Sequence, residues 1–220
     1  MGFTEFEDEF DSIQAWTAHE EALRRQNRYL PLAPDYFAAL VEACLEYVVT
    51  LPGDDPFYRA RIHEQQQRFA YPLDQMGAPP AARARGNRLN PSGIPYLYLA
   101  SDQDTAIAEV RPWRGALVSI ACFTPTGGLR VADLRPDVVE SDAAVQWVGW
   151  MLSRPAHRED PLAYVASQHL SEVLKSRELD GVVYGSALGM GHNLALFSPG
   201  AATPSEVDVF EVSDVHYDYG

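Results

Sequence analysis

Two dipeptides, His19-Glu20 and His63-Glu64, hold the residue types that open a zinc-protease helix, an imidazole for the metal and a carboxylate to activate water. That chemistry needs a second histidine four residues after the first, and Leu23 and Gln67 stand there instead. With the six histidines scattered and no Cys-x-x-Cys, the sequence offers no metal site. The segment Gly185-Ser186-Ala187-Leu188-Gly189-Met190-Gly191 is glycine-rich like a phosphate cradle, but its spacing is not G-x-G-x-x-G and a strand follows it. Around Ser186 the G-x-S-x-G elbow of an α/β hydrolase is also missing. Taken singly, Arg59, Arg61 and Arg88 read as surface charges, Glu109 as a solvated helix-face carboxylate, Tyr98 as a strand aromatic and Ser186 as a turn serine.

The elements that would position such residues are legible from periodicity and breakers. Residues 12–29 are rich in helix formers and are broken by Pro31 and Pro34. From Asp35 a second helix places Phe37, Leu40, Val41, Cys44, Leu45 and Val48 at helical spacing, stopped by Leu51-Pro52-Gly53. Residues 57–62 are a short strand, and 71–95 form a long Pro-, Gly- and Arg-rich loop of the kind that is usually functional or disordered. A strand at 96–100 precedes a short helix, capped by Asp102 or Asp104, that carries Glu109 and ends before Pro112. Strands follow at 115–123 and 129–134, helices at 141–152 and 161–177, and strands at 182–184, 193–197 and 207–212. Irregularly mixed strands and helices give an α+β class.

Length and charge narrow the function. At 220 residues the chain supports one domain with an appendage: an N-terminal helical extension over 1–52 and a main domain over 53–220. Only the acidic residues 1–10 have biased composition, and they are expected to be disordered. A net charge of −14 and a pI near 4.7 exclude direct nucleic-acid binding and favour a basic protein partner. No apolar run is long enough to span a bilayer and no signal sequence opens the chain, which places it in the cytoplasm and off the membrane. Cys44 and Cys122, the two cysteines, are read as reduced, small hydrophobes.

The run Gly86-Asn87-Arg88-Leu89-Asn90-Pro91-Ser92-Gly93-Ile94-Pro95-Tyr96-Leu97-Tyr98-Leu99-Ala100 resembles the Arg-aromatic-Asn-Pro-x-Gly-x-Pro motif and following Leu-Tyr-Leu-Ala strand of the RES family, named for its arginine, glutamate and serine. Phe57-Tyr58-Arg59 is similar to the family's opening Tyr-Arg, and Thr105-Ala106-Ile107-Ala108-Glu109-Val110 to its glutamate segment. Tyr184-Gly185-Ser186 with Asn193-Leu194-Ala195-Leu196-Phe197 is similar to its serine segment, and Tyr164 with Ser167-Gln168 to a Tyr-x-x-Thr-Gln segment. The blocks occur in order from Phe57 to the C-terminus. Leu89 departs from the pattern, standing where an aromatic is usual.

What the resemblance implies is a fold related to ADP-ribosyltransferases and a toxin that degrades NAD by cleaving its nicotinamide-ribose N-glycosidic bond, through phosphorolysis or hydrolysis. NAD is then substrate and not cofactor, with inorganic phosphate as co-substrate if phosphate attacks. It further implies an Xre-type antitoxin partner, with a homo-oligomer left open. By the same resemblance Arg59 grips the pyrophosphate, assisted by Arg61 or Arg88. Glu109 stabilises the oxocarbenium-like charge at the ribose, Tyr98 stacks on nicotinamide or holds the ribose, Ser186 positions Glu109 or a phosphate oxygen, and Asn193 contacts substrate. Two rival readings remain: a protein ADP-ribosyltransferase, and an inactive nucleotide-binding or scaffold module.

Overall fold

In a computed structural model the chain forms one eight-stranded sheet with helices, an α+β architecture as expected. Residues 3–29, 34–64, 68–140, 142–154, 160 and 162–216 are described, with side chains omitted for 3–12, 34 and 35. The first residues of the helices expected at 141 and 161 therefore lie outside the described residues.

The strands are β1 (Val48–Leu51), β2 (Phe57–Ile62), β3 (Leu97–Ala100), β4 (Leu117–Pro125), β5 (Leu129–Asp133), β6 (Gly181–Gly185), β7 (His192–Leu196) and β8 (Ala202–Glu211). Their order is β1-β5-β6-β7-β3-β2-β4-β8, antiparallel except for β5 and β6. That parallel pair requires a crossover, supplied by α4 (Ala143–Ser153) and α5 (Val165–Ser176). Asp142 starts α4 by accepting from the Val145 N–H at 3.0 Å.

Alternation along each strand sorts the core into two faces. Val182, Tyr184 and Ala195 face a helical layer made of α1 (Phe3–Arg25), α2 (Pro34–Leu45), α4 and α5. Leu97, Leu99, Val183, Leu194 and Leu196 face the opposite way, where Tyr71 and Met76 cover them. The long loop 71–95 is thus a packed back wall with two short 3-10 turns, Leu73–Gln75 and Ala81–Arg83. On the helical face, but over the other end of the sheet, α3 (Gln103–Glu109) lays Ala106 and Ile107 against Ala60, Val118 and Ile120.

Two expectations about the N-terminus change. The backbone is helical from Phe3, so most of the acidic stretch expected to be disordered lies within α1. The segment 1–52 is also not purely helical, because Val48 to Leu51 form β1 and pair with Leu129 to Ala132 of β5. Trp16, Leu23, Phe37, Leu40, Val41 and Cys44 join the same core cluster as Val182 and Ala195, so packing crosses the boundary drawn at 52/53.

The sheet carries one seam. β2 and β3 share a single pairing, Tyr58 with Ala100. Next to it the Arg59 Nη1–H donates to the Tyr98 carbonyl oxygen at 2.9 Å, so a side chain serves a carbonyl that a ladder would otherwise take.

Candidate active site

Over this seam, between α3 on one side and α5 on the other, lies a cleft of about 590 Å³. Its floor is the sheet itself, with Tyr58, Ala60, Tyr98, Tyr184 and Asn193 all on the helical face. Each wall is held by sequence-local chemistry that can be followed residue by residue.

Asp102 caps α3, accepting from the Thr105 N–H at 2.7 Å, while its other oxygen accepts from the hydroxyls of Ser101 and Thr105. These hydroxyls in turn accept from the Gly191 and His192 N–H groups at 3.1 and 3.0 Å, which fastens the start of α3 to the loop before β7. A Cβ on Gly191 would lie 2.0 Å from the Asp102 Oδ2, and one on Gly189 would lie 2.9 Å from the Thr105 Cα. The glycine-rich segment therefore serves close approach to a helix start.

At the other end of α3, Glu109 reaches the centre of the cleft. Its Oε1 accepts from the Ser186 hydroxyl at 2.8 Å and from the Asn193 Nδ2–H at 2.6 Å. No described residue donates to Oε2, which is left open to the cleft. A carboxylate at a helix C-terminus faces the negative end of the backbone dipole, and the two donors offset that field. The Ser186 oxygen also accepts from the Leu188 and Gly189 N–H groups at 3.1 and 3.0 Å. Its proton and both lone pairs are committed, which fits a positioning residue and not a nucleophile.

The opposite wall is the 86–95 loop. Buried Asn90 donates through Nδ2 to the carbonyls of Arg85, Pro91 and Ile94, and its Oδ1 accepts from the Tyr98 hydroxyl at 2.8 Å. Gly93 sits at φ +88, a left-handed position that suits glycine. From α5, Ser167, Gln168 and Ser171 donate to the carbonyls of Arg88, Asn87 and Leu89 in turn. So fixed, Arg88 lies over the rings of Tyr164 and Tyr184, at 5.4 and 5.8 Å. Leu89, where the motif usually has an aromatic, is fully buried and points away from the cleft into the core.

Burial pushes the Tyr98 and Tyr184 hydroxyls well above the usual phenol range, keeping both protonated. Burial, followed by the neighbouring Arg61, pushes Arg59 down to about 10, which leaves it cationic at neutral pH. Among the described residues no carboxylate pairs with Arg59 or Arg88. The cleft thus joins unneutralised cations, aromatic rings and two carboxylates, Asp160, which is paired with Arg24, and Glu109, which Ser186 and Asn193 orient.

A family model described as RES domain matches residues 56–219. The chain belongs to the RES domain family. One chain of the crystal structure of the M. tuberculosis MbcT-MbcA toxin-antitoxin complex is similar at 17% identity, over 78% of this chain and 92% of that one, with a TM-score of 0.46. No curated protein matches the chain.

Within the RES domain, the structure brings Arg59, Arg88, Tyr98, Glu109 and Asn193 to one cleft, with Ser186 bonded to Glu109 beside it. Arg61 is not among them. It shares a strand face with Arg59 but lies two residues beyond the seam, where its Nη1–H donates to the Gln75 carbonyl and its guanidinium stacks on Tyr71 at 4.2 Å. Tyr98 contributes its ring, because its hydroxyl is spent on Asn90 and on the Leu89 N–H. Asn193 is engaged with Glu109. Sequence reasoning missed Tyr184, although it precedes Gly185-Ser186 in the matched segment, and it read Gln168 as equally suited to packing. Among the described residues no cluster of three or more His, Cys, Asp or Glu side chains could hold a metal ion, and no helix is long and apolar enough to cross a membrane.

Proposed function

We propose that this RES domain cleaves the N-glycosidic bond between nicotinamide and ribose in NAD. The observation that carries the reading is Glu109: one oxygen is fixed by Ser186 and Asn193, and the other is free within a cleft lined by unpaired arginines. Nicotinamide leaves NAD as a neutral base that takes the bond's electron pair, so the demand on the protein is for an anion beside the positive charge growing at ribose C1′. Glu109 Oε2 supplies it. Arg59 and Arg88 hold the pyrophosphate, and the Tyr98, Tyr164 and Tyr184 rings provide the platform. NAD is a substrate here, and no bound cofactor is invoked.

Attack on C1′ by a phosphate oxygen gives ADP-ribose 1″-phosphate. Attack by water gives ADP-ribose and a proton. The family resemblance supports phosphorolysis, a toxin acting in the cytoplasm, and an Xre-type antitoxin whose basic residues approach the acidic chain. Purified protein incubated with NAD, with and without inorganic phosphate, tests the reading. Nicotinamide should appear together with one of the two products. Label from NAD transferred to protein would favour an ADP-ribosyltransferase, and no turnover would leave a binding module.

A further inference from the structure

Asp160, four residues before Tyr164, turns a carboxylate to the cleft in addition to Glu109. A bare carboxylate there would repel the diphosphate of a dinucleotide. Among the described residues neither Arg59 nor Arg88 forms an ion pair with it. Its partner comes from the N-terminal helix, where Arg24 of α1 donates through Nη2 to Asp160 Oδ2, 136 residues along the chain. Arg24 lies outside residues 56–219, the part of the chain that the RES domain model matches.

Arg24 does not line the cleft itself. It borders a smaller compartment of about 180 Å³ among α1, α4 and α5, which shares Asp160 and Tyr164 with the cleft. There the Arg24 Nε lies 3.1 Å from the Oε1 of Glu20, one helical turn earlier. Glu20 lines only the smaller compartment, so of the two carboxylates that Arg24 serves, Asp160 alone faces the cleft. The second oxygen of Asp160 has a local duty. Oδ1 accepts from the Leu162 N–H at 2.9 Å, and the Asp160 carbonyl accepts from the Ala163 N–H at 3.3 Å. The Val165 N–H then donates to the Leu162 carbonyl at 3.1 Å and leads into α5, at whose start the Tyr164 ring lies under Arg88. The ion pair therefore joins α1 to a wall of the cleft.

We propose that Arg24 of the N-terminal extension is a positioning residue for substrate binding, neutralising Asp160 so that the cleft accepts the diphosphate of a dinucleotide. The identity of that ligand rests on the NAD-cleaving reading. Arg24 acts through Asp160 and touches no reacting atom. Its loss should weaken binding and leave the chemistry of bound substrate nearly unchanged.

Steady-state rates with NAD, together with calorimetric titration of ADP-ribose, which carries the same diphosphate without the nicotinamide, test this in the full chain. R24M should raise KM for NAD and weaken ADP-ribose binding about tenfold, with kcat close to wild type. The defect should shrink at high salt, as repulsion between partly exposed charges does. R24K should bind nearly as wild type does. D160N added to R24M should restore most of the lost affinity, because it removes the charge that Arg24 neutralises and keeps an acceptor for the Leu162 N–H. The control R25M removes an exposed arginine, paired with Glu21, from the same helix and should bind like wild type. Binding equal to wild type in R24M, or in R24Q if R24M lacks a cooperative melt, overturns the inference. A defect that neither D160N nor salt relieves assigns Arg24 to packing alone and overturns it as well. The expected ADP-ribose pattern in a protein that never cleaves NAD keeps the role of Arg24 and removes only the reaction, whereas a wild-type protein that binds neither ligand overturns both.

Discussion

Asn193 and Glu109 meet across the cleft through an Nδ2–H to Oε1 hydrogen bond of 2.6 Å, although they lie 84 residues apart in the chain. The bond ties the end of α3 to β7 and fixes which carboxylate oxygen is left for a ligand. Glu109→Gln keeps an acceptor for Asn193 and Ser186 but removes the charge. Its melting temperature should match wild type, while nicotinamide release falls about 10²- to 10³-fold, as for loss of one preorganised electrostatic group. Near-normal turnover by the folded variant would place the chemistry elsewhere.

Ser186→Ala should slow turnover by about tenfold without abolishing it, because one neutral donor to the carboxylate is lost while Asn193 remains. The Leu188 and Gly189 N–H groups lose their acceptor as well, so their amide exchange should speed up. Rates at saturating NAD and exchange at those two amides check this together. A complete loss of activity with unchanged exchange would point to covalent participation by the serine.

Removing residues 1–52 should prevent folding. The deletion strips β1 from the sheet edge and removes Trp16, Leu23, Phe37, Leu40 and Val41 from the core. At about 1.5–3 kcal/mol for each large buried side chain, the loss is on the order of the whole stability of a typical domain. A soluble truncated chain with a cooperative melt and NAD turnover would show that the family-matched region stands alone.

His19 of α1 is fully buried, stacks on Phe37 at 4.2 Å between ring centres and lies 3.2 Å from the His169 Nδ1. Burial, with His169 adding to it, pushes its pKa from 6.5 down to about 4. A histidine held neutral in the fold contributes fully above pH 6.5. Its contribution is lost as pH falls from there towards 4, because the unfolded chain takes up the proton first. The destabilisation reaches about 3 kcal/mol at the low end. Melting temperatures from pH 7.5 to 4.5 should fall more steeply for wild type than for His19→Phe, and parallel curves would contradict the assignment.

What the sequence made readable was local. The strand expected at 96–100 and the helix carrying Glu109, capped by Asp102 or Asp104, are both kept by the structure, the strand over Leu97–Ala100 and the cap at Asp102. β1 was hidden because Val48 also completes the helical spacing that begins at Phe37, and only its partner β5, far along the chain, makes it a strand. The resemblance offered Arg61 or Arg88 as the helper of Arg59, and Arg61 shares its strand face, yet β2 and β3 pair at one residue only, and a strand pattern cannot locate where that pairing ends. The bonds from Ser167, Gln168 and Ser171 to three successive carbonyls of the 87–89 loop required the fold, since the partners are about eighty residues apart.

The bond from Arg59 to the Tyr98 carbonyl has a thermodynamic consequence for any anion that enters. A guanidinium offers five N–H groups in one plane, and anchoring one of them sets the direction of the others. Immobilising a flexible side chain at the moment of association commonly costs about 0.5–1.5 kcal/mol, and here that ordering is completed when the sheet forms. A lysine also carries three N–H donors, but on a freely turning ammonium whose remaining directions a single backbone bond does not fix. Arginine at this position lets the cleft receive its guest with the fork already aimed.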